Sequence, residues 1–180
     1  MKKIFKKLSL DDLHRVSVEE YQNLEKIPII IVLDNVRSAQ NVGAVFRTSD
    51  AFCIQKIYVC GITAQPPHKE IQKTALGAQD AVSWEYSEET KSIVDVLKND
   101  GWYICSVEQT KQSTKLHEIT VDINKRYVLI FGNEVTGIEQ SVIDMSDECI
   151  EIPQFGTKHS FNISVSCGIV LWDIAKCFLV

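Results

Sequence analysis

No apolar run in the 180 residues approaches the ~20 that a membrane-spanning helix needs, so no transmembrane segment is expected. The basic opening, MKKIFKKLSL, lacks a long apolar core and a small-residue cleavage site, and does not read as a secretion signal. There is no internal repeat and no low-complexity linker. The six cysteines (Cys53, Cys60, Cys105, Cys149, Cys167, Cys177) include no CxxC pair and sit mostly in or beside apolar stretches. Packed, reduced thiols in a reducing cytoplasm are expected, rather than disulfides or zinc. Excess positive charge is also missing: 19 basic against 24 acidic residues leave a net charge of −5, which argues against coating nucleic acid by bulk charge. A local basic face is still open. Lys2, Lys3, Lys6 and Lys7 form the densest positive cluster, either a solvated chain end or a contact for a polyanion.

What is present suits one globular domain, with 45% hydrophobic residues to build a core. Residues 8–26 read as polar and helical, forming an N-terminal extension over 1–26 ahead of a main domain over 27–180. From there strands and helices alternate. The β-branched run Ile29 to Leu33 has the pattern of a buried parallel strand, with Pro28 acceptable at its start. Further strands are expected at Ile57 to Cys60, Val82 to Tyr86, Trp102 to Val107, Tyr127 to Phe131 and Cys149 to Ile152. Helices are expected over Asn41 to Phe52, over Lys69 to Leu76 with Gly77 as the stop, and from Ser87 towards Gly101. The fold class is therefore α/β, a mostly parallel sheet with helices on both faces. Ligands in such sheets bind outside the carboxyl ends of strands. The loops after Leu33, Val107, Phe131 and Ile152 are the places to look.

Three loop regions carry unusual residues. In LDNVRSAQNVGAVFRTSDAF (33–52), Asn41 is positioned to cap the helix it opens. Arg47, flanked by Val45, Phe46 and Ala51, needs either a carboxylate such as Glu134 or Asp50, or an anionic ligand. In YVLIFGNEVTGIEQSVID (127–144), a strand runs into Gly132, Asn133, Glu134 and Gly137. That is either a tight turn or a ligand loop; it is neither a dinucleotide fingerprint nor a P-loop. In EIPQFGTKHSFNISVSCGIVLWDI (151–174), polar and apolar residues alternate only from Ser160 to Ser166, and the segment is too long for a typical strand. A helix from about Asn162 fits better, placing Ser160 and Asn162 at its N-terminus as caps or as ligand contacts. No histidine is an obvious base, and no metal-ligand cluster is present, so no metal is expected.

Taken in order and spacing, these segments resemble the SpoU (TrmH-type) family of RNA ribose methyltransferases, within the SPOUT class, over roughly residues 29–175. The matching residues are Asn41, Gly43 and Arg47; then Gly132, Asn133, Glu134 and Gly137; then Ile152, Pro153, Gly156, Ser160, Asn162 and Ser164. The chain departs from the pattern in having Gln40 where many members have proline, Gln154 for methionine and Phe161 for leucine.

The resemblance implies a C-terminal trefoil knot and a homodimer whose sites are each completed by the partner chain. It implies S-adenosyl-L-methionine (SAM) as cofactor, held by Val107, Gly132, Asn133, Gly137, Ile152, Gln154 and Phe161. The implied reaction is methyl transfer to a ribose 2′-hydroxyl of RNA. Arg47 would be essential, with Asn41, Ser160 and Asn162 orienting the ribose and Glu134 tying Arg47 or the cofactor loop in place. Arg47 stays protonated under ordinary conditions, so holding phosphate and stabilising a forming alkoxide suits it. By analogy, the short N-terminal segment points to tRNA over rRNA. A silent RNA-binding protein of the same fold and a small-molecule methyltransferase are the competing readings.

Overall fold

The computed structural model describes residues 4–9, 12–13 and 16–179. Seven strands form one sheet: β1 (Ile27–Asp34), β2 (Ile54–Cys60), β3 (Trp84–Ser87), β4 (Tyr103–Val107), β5 (Thr114–Lys115), β6 (Tyr127–Phe131) and β7 (Glu148–Glu151). Their order is β3-β2-β1-β6-β4-β7-β5, and every neighbouring pair is parallel. The helices are α1 (Val18–Asn23), α2 (Ala39–Ala51), α3 (Lys69–Ala75), α4 (Ala78–Ala81), α5 (Thr90–Asn99), α6 (Gln140–Ile143) and α7 (Ile163–Ala175). Among the described residues, no helix is long and apolar enough to cross a membrane.

The apolar runs of the central strands follow from burial on both faces. Ile29, Ile31 and Leu33 of β1, with Leu129 and Phe131 of β6, join a core built with α2, α3 and α7. The alternate residues, Ile30, Val32, Val128 and Ile130, join a second core with Val94 and Leu97 of α5 and Val142 of α6. A strand covered on both sides has no polar face to alternate. Phe46 of α2 is fully buried and meets Trp84 edge-on, ring centroids 6.4 Å apart. Phe46→Ala should cost about 3–5 kcal/mol in urea denaturation, the usual range for removing a buried aromatic side chain.

The helical reading of residues 8–26 is narrowed: among the described residues of that segment, one six-residue helix forms, α1. Ser17 and Glu20 make a reciprocal capping box at its start. Upstream, Ser9 and Asp12 make the same reciprocal pair, Ser9 N–H donating to the Asp12 carboxylate at 2.8 Å and Asp12 N–H to Ser9 Oγ at 3.3 Å. Residues 10–11 and 14–15 of that segment, and Lys2 and Lys3 of the basic cluster, lie outside the described residues. The short elements α4, α6 and β5 were not expected; at two to four residues they are too brief to show a period. All six cysteines are free, and burial pushes the Cys60 thiol up to about 12.

Candidate active site

Parallel pairing puts the carboxyl ends of β1, β6, β4 and β7 on one edge of the sheet, and the loops that follow meet there. The loops after β6, β4 and β7 surround a cleft of about 790 Å³, and the loop after β1 adjoins it through Asn133. Val107, Gly132, Asn133, Gly137, Ile152, Gln154 and Phe161 line it, together with Glu134, Ser160 and Asn162. Asn41 and Arg47 are not among the lining residues.

Asn41 is nevertheless joined to the cleft wall. Its Nδ2 donates to Glu134 Oε1 at 3.2 Å, and its Oδ1 accepts from Asn162 Nδ2 at 3.1 Å. Three segments far apart in sequence thus meet through side chains. The arrangement depends on a correction to the expected helix boundary. Ser38, not Asn41, is the N-cap of α2, its Oγ accepting from Asn41 N–H at 3.3 Å. The Asn41 amide is left free to reach across. At α7 the expectation of a helix is met, with Asn162 as the cap: its Oδ1 accepts from Ser164 N–H at 2.9 Å and from Ser164 Oγ at 2.7 Å. Ser160 lies two residues earlier, exposed at the cleft.

Asn133 shapes the loop after β6. Its Nδ2 donates to Asn35 O at 2.8 Å, and its Oδ1 accepts from the N–H groups of Val135 and Thr136 at 2.8 and 3.2 Å. Its backbone exchanges two hydrogen bonds with Gly137, closing the turn. The chain segments approach so closely that a Cβ on Gly132 would stand 2.3 Å from Gly137 C and Ile138 N.

A model of the SpoU rRNA methylase family matches residues 28–172. The chain belongs to that family. An Aquifex aeolicus relative named tRNA (guanosine(18)-2′-O)-methyltransferase is 31% identical over 154 residues, covering 82% of this chain and 69% of its own. The crystal structure of the A. aeolicus TrmH/SpoU tRNA modifying enzyme superposes with a TM-score of 0.78 at 27% identity, covering 88% of this chain and 79% of that one. The AdoMet-bound rRNA methyltransferase from Sinorhizobium meliloti shares the fold, with a TM-score of 0.79 at 24% identity over 89% of this chain and 60% of its own. A C-terminal knot is in keeping with SpoU membership.

Glu134 does not pair with Arg47 in this SpoU chain. Its Oε2 accepts from Arg37 N–H at 3.0 Å and its Oε1 from Ser38 N–H at 3.1 Å, which fastens the loop after β6 to the turn before α2. Nor does Asp50 take that role: among the described residues, Arg47 forms no hydrogen bond or ion pair, and it is exposed. Burial pushes the Glu134 carboxyl up, but backbone N–H groups and the Asn41 amide together outweigh it, so the net displacement is below the ordinary 4.5. A depressed folded value contributes stability that is full above the unfolded value and lost as pH falls through the folded one. The stability difference between the native chain and Glu134→Gln should therefore shrink as pH is lowered from about 6 to 3, read by denaturant unfolding at each pH.

Two further carboxylates were not anticipated. Asp34, 1% exposed at the end of β1, accepts from Glu139 N–H at 3.2 Å and from Asn35 Nδ2 at 2.9 Å. Glu108, just past β4, accepts from Ile138 N–H at 3.1 Å. The available signal was an acidic residue closing an otherwise apolar strand.

Proposed function

We propose that this SpoU protein transfers a methyl group from SAM to a ribose 2′-hydroxyl of RNA. The observation that carries this reading is the meeting of Asn41, Glu134 and Asn162 beside a single cleft at the strand ends. The residues present suit the cofactor. The cleft's size falls in the ordinary range for small-molecule sites, and its wall mixes apolar Val107, Ile138, Ile150 and Ile152 with polar Asn133 and Thr136. That mixture suits an adenosine, which has an apolar ring face and a hydroxylated sugar. Val107, Gly132, Asn133, Gly137, Ile152, Gln154 and Phe161 would hold it.

When bound, the cofactor supplies a methyl carbon already activated by a sulfonium leaving group. The protein's share is to align the hydroxyl and dispose of its proton. Asn41 and Asn162, each fixed by the hydrogen bonds above, orient the ribose with Ser160. Glu134 holds the turn that presents Asn41. Arg47, without a partner among the described residues, holds the RNA phosphate beside the target ribose and stabilises the alkoxide as it forms. Guanidinium keeps its proton, so the hydroxyl proton leaves to phosphate or water.

Arg47 lies outside the set lining its own chain's cleft, which supports a homodimer in which the partner's Arg47 completes each site. Half-exposed Val165 and Trp172 on α7 offer that dimer an apolar face. Transfer RNA is the favoured substrate, on the strength of the A. aeolicus relative, with rRNA second. A cytoplasmic location and an extension over residues 1–26 complete the reading. The test is transfer of labelled methyl from SAM to unmodified tRNA and rRNA, with light scattering for mass. Label on tRNA ribose from a dimer is expected. RNA binding with no binding of SAM would favour a silent RNA-binding protein instead.

A further inference from the structure

We propose that Glu108 and Gln109 act as a latch fixing the distance between the two loops that face the cofactor, with Glu108 as its positioning residue. The inference rests on the functional reading above and deepens it. Glu108 N–H donates to Ile150 O at 3.0 Å, so its backbone continues the β4–β7 ladder and is firmly held. Its side chain turns towards β6: Oε2 accepts from Ile138 N–H at 3.1 Å, while Oε1 accepts from Gln109 N–H at 2.9 Å. No cation pairs with this carboxylate among the described residues.

The neighbouring Gly137 fits this role. Its φ of +70° is one reason for glycine, and Glu108 is a second, because a Cβ there would stand 2.2 Å from Glu108 Oε2. On the far side of β6, Asp34 accepts from Glu139 N–H. Two successive N–H groups of the loop after β6 are thus gripped by carboxylates at the ends of its two neighbouring strands, Glu108 just past β4 and Asp34 closing β1. Gln109 carries the link to the other loop: its Nε2 donates to His159 O at 2.8 Å, between Gly156 and the cap of α7. One dipeptide therefore touches both the loop after β6 and the loop after β7, and both of its residues line the cleft. A carboxylate suits the position because it offers two acceptor oxygens to two N–H donors. An amide would serve one and turn its NH₂ against the other.

The experiment measures SAM affinity by isothermal titration on the full chain, alongside KM, kcat and melting temperature, for Glu108→Gln, Gln109→Leu and the double variant. Glu108→Gln should weaken SAM binding about tenfold, the scale of one lost charge-assisted hydrogen bond. The KM for SAM should rise in step, with kcat and melting temperature close to native. The double variant should be less than multiplicatively worse, since either change opens the same latch. Amide exchange at Ile138 should quicken in Glu108→Gln. Native protein that binds SAM while Glu108→Gln binds it equally well overturns the latch alone. A parallel fall in melting temperature, kcat and affinity also overturns it, since that marks a scaffold residue. Native protein that binds no SAM overturns the functional reading, and the latch with it.

Discussion

Arg47→Ala should lower RNA methylation by about 10²–10³-fold, the usual cost of removing one preorganised group that stabilises charge in a transition state. SAM affinity should be unchanged, because Arg47 does not line the cleft. The size of the effect follows from the electrostatics. A guanidinium tied to a carboxylate would be spent on structure, and its removal would chiefly cost stability. Arg47 has no such partner among the described residues, and Glu134 is committed elsewhere, to Arg37 N–H, Ser38 N–H and Asn41. The loss should therefore appear in kcat, with little change in melting temperature. Mixing decides whether Arg47 serves its own chain or the partner. If it works across a dimer, co-refolding Arg47→Ala with a variant damaged in the cleft gives heterodimers with one intact composite site. At random pairing that restores about a quarter of native activity. If it serves its own cleft, the mixture stays as inactive as its parents. Methylation by Arg47→Ala near the native rate removes Arg47 from the chemistry.

The sheet was legible because central parallel strands are buried on both faces and leave unbroken β-branched runs, as in Ile29 to Leu33. The start of α7 was legible because alternation stops at Ser166 while the apolar stretch continues. The meeting of the three loop segments was legible only through resemblance. No periodicity links Asn41 to Asn162, 121 positions apart. The helix boundary at α2 was misread because Ser38 and Asn41 are both good caps, and the choice depends on what else Asn41 can bond. Once Glu134 and Asn162 compete for its amide, Ser38 takes the cap. Glu108 escaped notice for a similar reason: its partner, Ile138 N–H, is a backbone group 30 residues away and leaves no mark on residue identity. Its traces are an acidic residue closing an apolar strand and the glycine at 137, which reads equally well as a plain turn.

Two motif glycines that look equivalent in sequence should respond in opposite ways to alanine. Gly132→Ala should abolish SAM binding within the range of a titration, while Gly156→Ala should stay close to native. At Gly132 the added Cβ would meet Gly137 C and Ile138 N at 2.3 Å and Gly137 O at 2.6 Å. These are backbone atoms of a turn closed by its own hydrogen bonds, so no side chain can swing aside. Relief requires opening the Asn133–Gly137 turn, which carries Ile138 N–H away from Glu108 and Glu134 away from the start of α2. Melting temperature should fall by only a few degrees, because β6 ends at Phe131 and its core contacts remain. At Gly156 an added Cβ meets nothing within 4 Å, and the backbone is not in the left-handed region. The pair therefore separates steric need from motif membership. Equal damage at both positions would mean that Gly156 is pressed by something outside this chain, RNA or the second protomer. Tolerance at Gly132 would mean that the turn after β6 is not the rigid wall on which the placement of Glu134 depends.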